Sequence, residues 1–213
     1  MIHVHERASV PPTFTLAVTG PGATWLAANP TKAPKEKLPA YWRAGSAELR
    51  AAYKGICAYF CCYVRPVTGT GSADHFVAKS SDRARAYDWS NYRFACTRMN
   101  SRKRDASDVL DPFTLADGWF ELYFPTMRVR PSATLTKAQA KEVRATIKRL
   151  KLNSHECVSE RGDYWDDYQS HGLSATRLYQ YAPLIALEAV RQGLLKPADH
   201  GLTAAHIRTW LDS

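Results

Sequence analysis

The sequence predicts an α+β fold, a small strand-bearing core set in a mainly helical single domain. Three observations lead there. The chain has 213 residues, 45% of them hydrophobic and 23% charged, enough to bury one core without disulfide or metal staples. Aromatic and β-branched runs between residues 56 and 95 are too short for typical helices and are separated by Gly- and Ser-rich turns. From Thr136 onward, apolar residues recur at helical spacing.

Residues 1–45 carry Pro11, Pro12, Pro21, Pro30, Pro34 and Pro39 with few periodic apolar positions, and read as an irregular wrapping segment. Residues 46–110 form the expected core. It starts with a short helix over Ala47–Tyr53, a strand over Ile56–Val64, and a turn or flexible loop at Thr68–Ser72. A second strand is expected at Tyr92–Ala95, then a short helix near Arg98–Arg104. Residues 111–213 are expected as a helical extension packing on that core. Thr136-Lys137-Ala138-Gln139 has the form of a capping box, opening a helix to about Leu150 with Ala140, Val143, Ile147 and Leu150 as its apolar stripe. Further helices are expected at Ser174–Gln192, interrupted near Pro183, and at Thr203–Leu211.

Lysine and arginine number 29 against 20 aspartates and glutamates, a net charge of +9, which favours a polyanionic partner. The excess is concentrated: eight basic residues lie between Lys79 and Arg104 against two acidic ones. On the Thr136 helix, Lys137, Lys141, Arg144, Lys148 and Lys151 line one face, either as a solvated surface or as a phosphate-facing one. Five cysteines, two of them adjacent, make a poor disulfide framework. No apolar run approaches the roughly 20 residues of a membrane span, and the first residues do not read as a signal peptide, so a cytoplasmic protein with no membrane partner is expected.

Three segments concentrate chemistry: Asp74-His75-Phe76, Trp89-Ser90-Asn91-Tyr92, and Cys96 to Lys103. An acidic residue beside a histidine, an asparagine sixteen residues on, another nine beyond, and a basic cluster after it resemble the HNH endonuclease superfamily of ββα-metal nucleases. Tyr53 to Tyr59 looks like the knuckle that precedes the histidine motif there. Tyr87 to Tyr92, Leu110-Asp111-Pro112-Phe113 and Thr146 to Asn153 are similar to retron-associated and Septu-type defence members.

The resemblance implies metal-dependent phosphodiester hydrolysis, which requires an activated water, a divalent cation and cationic groups for the phosphate. His75 suits the general base, since an imidazole can take a proton near neutral pH. Asp74 and Asn100 would supply oxygens to Mg²⁺ or Mn²⁺. Asn91 would bind loop backbone and aim His75. Lys103 and Arg102 would reach the scissile phosphate or its neighbours, with Lys79, Arg98, Arg104, Lys141, Arg144 and Lys148 as further nucleic-acid contacts. One departure is clear: where the superfamily's structural zinc takes two Cys-x-x-Cys pairs, Cys57 is followed by Phe60 and Cys96 by Met99. A structural zinc is therefore not expected, and buried, reduced cysteines are.

The expected function is a metal-dependent endonuclease, DNA favoured, as an effector of anti-phage defence with an ATPase partner protein. The alternatives are a catalytically inactive nucleic-acid-binding module and an RNA-cleaving, tRNA-type effector. A third idea is a structural partner using the wrapped N-terminus and the acidic stretch Glu156–Asp167 as a docking surface.

Overall fold

Pro12 starts a helix where irregular chain was expected. The computed structural model of the protein describes residues 1–4, 9–30 and 38–213, so Pro34 lies outside the described residues. A helical segment, α1, covers residues 12–28, opening as Pro12–Phe14, passing through a π-turn at Thr15–Thr19 and continuing as Gly20–Ala28. Pro12 stands in the first turn, where a missing N–H costs nothing. Pro21 lies inside the helix and cannot donate to the carbonyl four residues back; the widened turn just before it, closed by the Gly20 amide on Thr15 O, absorbs that defect. Phe14 and Val18 are buried, and Phe14 meets Trp89 and Tyr92 edge-on, with ring centroids 4.7 and 5.5 Å away. The segment thus wraps the core, as a helix.

The next helix, α2, spans Ser46–Ala52, within one residue of expectation. The strand expected at Ile56–Val64 does not form. The chain doubles back there: Cys61 N–H donates to Cys57 O (2.8 Å) and Cys57 N–H to Cys62 O (3.0 Å), leaving a single bridge between Ile56 and Tyr63. Cys61, in the middle of the run, has a φ of +61°, which no strand accommodates, and Lys54 and Gly55 just before it turn the chain at +50° and +71°. The run is apolar because this knuckle is buried nearly throughout.

Strand β1, Gly71–His75, begins inside the expected turn and pairs antiparallel with β2, Tyr92–Cys96, with Asp74 opposite Arg93 and His75 opposite Tyr92. The helix α3, Thr97–Lys103, follows β2 without a loop and rests on both strands. A second antiparallel pair, β3 (Phe120–Tyr123) and β4 (Arg128–Pro131), interrupts the expected helical extension.

Helix α4, Lys137–Leu150, carries the complete Thr136/Gln139 capping box and buries Val143, Thr146 and Leu150. Helix α5, His155–Ser170, occupies the acidic stretch and buries Cys157, Arg161 and Tyr168 along one side. The next two helices, α6 (Ala175–Tyr181) and α7 (Pro183–Gln192), meet at Pro183 as expected, and α8 runs Ala204–Asp212.

Residues 110–117 have no regular structure yet bind four parts of the molecule. Leu110 N–H donates to Thr146 Oγ1 of α4 (2.9 Å), and Asp111 takes a two-pronged hydrogen bond from Arg93 of β2 (2.8 and 2.7 Å). Pro112 O accepts Val4 N–H (2.9 Å), and Asp117 pairs with Arg208 of α8. Phe113 lies 3.4 Å from the Arg93 guanidinium. The Leu110-Asp111-Pro112-Phe113 motif is therefore a brace for β2. Among the described residues, no helix is long and apolar enough to cross a membrane.

Candidate functional site

Asn91 is fully buried at the end of the loop that leaves β1. Its Oδ1 accepts Val77 N–H (2.8 Å), and its Nδ2 donates to Val77 O (3.1 Å) and Arg85 O (3.0 Å). Asn91 O also accepts Phe76 N–H at 2.8 Å. An amide offers both donor and acceptor, so one side chain closes both ends of the loop. The residue before Phe76 is His75, and this clamp fixes the backbone from which its ring projects.

His75 Nε2 lies 3.0 Å from Ala86 O, which also accepts the Tyr92 hydroxyl at 2.5 Å. A carbonyl only accepts, so Nε2 carries the hydrogen and Nδ1 is the ring's basic atom. Nδ1 takes no hydrogen bond from the protein and is not among its sealed, unpaired polar atoms, so it meets solvent. Trp42 and Tyr92 pack on the ring, centroids 4.8 and 4.9 Å away. Burial, aided by the nearby Lys79 ammonium, holds the imidazole down to about 4. The ring is thus neutral at neutral pH, with its acceptor nitrogen unprotonated but less basic than that of a free imidazole. It is also part of the core, at 8% exposure.

Asp74 is held from two sides. Tyr59 of the knuckle donates its hydroxyl to Oδ2 (2.5 Å), and Lys103 Nζ lies 3.2 Å from Oδ1 and 3.1 Å from Oδ2. Burial pushes the carboxyl above its usual range, while Lys103 and Tyr59 oppose that. Lys103 spends its remaining donors on His75 O and Phe76 O, both at 3.1 Å. At 1% exposure it does not face a phosphate. The expected phosphate-contacting role for Lys103 is corrected: its ammonium is an internal brace joining α3 to the end of β1.

Asn100, on α3, donates Nδ2 to Ser72 Oγ at 3.0 Å. Its Oδ1 has no protein partner and is open to solvent. Asp74, His75 and Asn100 all line one open cleft of about 480 Å³. Arg43, Lys79 and Arg104 stand along the same cleft, with Lys79 Nζ 4.2 Å above the Trp42 ring.

The other expected cations divide. Lys141, Arg144 and Lys148 are exposed along α4. Arg102 turns away from the cleft and caps α4, donating to Leu150 O (3.1 Å) and Lys151 O (3.2 Å). Arg98 borders a different cavity and pairs with Glu156 at 3.1 Å. Arg102 is therefore a helix-end brace, and Arg98 is an exposed cation outside the Asp74–His75–Asn100 cleft.

A carboxylate and a carboxamide oxygen are donors of the kind a hard divalent cation takes. Both Asp74 oxygens, however, are engaged by Tyr59 and Lys103 at 2% exposure, so a cation would have to displace the Lys103 ammonium to reach them, while Asn100 Oδ1 is open. Sequence reasoning missed Tyr59, Trp42 and Arg43. Tyr59 was read only as the end of the knuckle, and Trp42 and Arg43 lie far from Asp74 and His75 in sequence, so only the fold joins them to the site. No protein-family model and no curated protein matches the chain.

Proposed function

We propose that the chain is an HNH-type endonuclease that hydrolyses phosphodiester bonds with a divalent cation, DNA being the first substrate to test. The observation that carries this reading is the Asn91 loop clamp beside a neutral His75 whose solvent-facing Nδ1 shares a cleft with Asp74 and Asn100. Asp74 and Asn100 would hold Mg²⁺ or Mn²⁺. When bound, that ion neutralises charge building on the phosphate and its leaving oxygen. His75 Nδ1 accepts a proton from the attacking water, and Ala86 O, bonded to Nε2–H, orients the ring and stabilises it as it becomes charged. Arg43, Lys79 and Arg104 draw the polyanion across the cleft. A defence role with an ATPase partner rests on the subgroup resemblance alone.

A second reading, a nucleic-acid-binding module without catalysis, is favoured by one observation: Lys103 already balances the Asp74 charge. One experiment separates the two. Purified protein is incubated with plasmid, single-stranded DNA and total RNA, with Mg²⁺ or Mn²⁺ and with EDTA. Metal-dependent cleavage is expected, with His75→Gln slower by about 10²- to 10⁴-fold. Cleavage of RNA alone would move the substrate to RNA. Retained binding with no cleavage under any condition, or an unimpaired His75→Gln, would overturn the nuclease reading.

A further inference from the structure

Cys57 and Cys96 stand together on the far side of β2 from the brace at Asp111. Cys57 Sγ lies 3.4 Å from the amide nitrogens of both Phe60 and Cys96, which sets the two thiols side by side. The backbone enforces this approach, since Ala58 N–H donates to Phe94 O at 2.8 Å. All five cysteines are free thiols; four are buried, and Cys96 alone is partly exposed. Cys57 and Cys96 share the wall of an open cavity of about 390 Å³, which gives a small oxidant a route in.

We propose that Cys57 and Cys96 are a modification site, a thiol pair that closes reversibly to a disulfide on meeting a peroxide. The chemistry of the two sulfurs is unequal in the required sense. Cys57 is buried, which pushes its thiol up and keeps it protonated, whereas Cys96 is partly exposed and its thiol is drawn down by the neighbouring Cys57 thiol and by the amides of Met99 and Arg98. Cys96 is then the nucleophile and Cys57 the resolving thiol.

The Cys96 thiolate attacks one peroxide oxygen, so that an S–O bond forms as the O–O bond breaks. The hydroxide released takes up a proton and leaves as water. Cys57 then attacks the sulfenic sulfur: the S–S bond forms, the S–O bond breaks, and a second water leaves carrying the Cys57 proton. Two electrons pass from the thiols to the peroxide. Cys62 and Cys157 line the same cavity, so the linkage expected from the adjacency of Cys57 and Cys96 has two competitors there. Cys61 Sγ points to Ala58 O (4.0 Å), and Cys157 Sγ accepts from Arg102 (3.5 Å). The closed loop would contain Asp74, His75 and Asn91, so oxidation staples the segment that carries most of the cleft.

The test uses the full-length reduced protein and does not depend on nuclease activity. Hydrogen peroxide is added near stoichiometry at pH 7, free thiols are blocked, and the linkage is read by mass spectrometry. Chymotryptic cleavage after Tyr59 or Phe60 separates Cys57 from Cys61 and Cys62. A dominant Cys57–Cys96 linkage is expected, reversed by dithiothreitol, with a thermal midpoint higher by roughly 5–10 °C. In the untreated protein, Cys96 should be the fastest of the five thiols to alkylate. Cys96→Ser should abolish the linkage; if that variant does not fold, the peptide map and alkylation rates of the native chain still decide. A different dominant pair, an oxidation that stops at Cys96, or a Cys96 no faster than Cys61, Cys62 or Cys157 would overturn the proposal.

Discussion

His75 is both a reactive group and a core residue, and the two roles meet in its protonation. Its imidazole titrates near 4 in the folded protein against about 6.5 in an unfolded chain. Between those values the unfolded state holds a proton that the folded state lacks, so stability rises with pH across the window and is lost as pH falls from about 6.5 to about 4. Urea denaturation of wild type and His75→Gln at pH 7 and pH 4 should therefore show wild type losing on the order of 3 kcal/mol more than the variant. An equal loss in both would remove His75 from the acid sensitivity. At this scale, Asp74, His75, Asn91 and Asn100 were picked out by residue type and interval, and the structure sets Asp74, His75 and Asn100 on one cleft with Asn91 clamping the loop behind His75. Lys103 was legible only as a cation. Whether its ammonium points to solvent or to Asp74 depends on the phase of α3 against β1, which no local pattern carries.

Elements that are stabilised locally were the easiest to read. The capping box of α4 lies within four residues, and Pro183 divides α6 from α7 by its own geometry. The knuckle at residues 56–63 was misread because burial on all sides gives a continuous apolar run, which periodicity alone cannot tell from a strand. The β3–β4 hairpin was missed because its strands are four residues each, too short to establish an alternation. On α4, Lys141 and Lys148 are exposed and off the buried side formed by Val143, Thr146 and Leu150. If that surface follows a nucleic-acid backbone, Lys141→Gln with Lys148→Gln should flatten the slope of log affinity against log salt by roughly 1 to 2. The helix should persist, because glutamine has nearly the helix propensity of lysine. An unchanged slope would confine nucleic-acid contact to the cleft.

For the whole molecule, the expected division into a wrapping segment, a core and a helical extension leaves out how the parts of the chain are joined. The joints are made by side chains distant in sequence: Phe14 against Trp89, Arg102 on the end of α4, and residues 110–117 against β2, α4, α8 and Val4. Composition and charge reveal none of these. The last of them has a consequence for motion. A segment without helix or strand ordinarily opens by itself and exchanges its amide hydrogens quickly. Here the Leu110 amide is released only if the chain parts from α4, and the Val4 amide only if it parts from Pro112. Both should exchange as slowly as amides in β2, at a rate set by opening of the whole protein, in hydrogen–deuterium exchange followed by mass spectrometry or NMR. Fast exchange at either amide would mean that this irregular segment breathes independently. Slow exchange at both would make it the tie through which the two sheets and the helices around them open together.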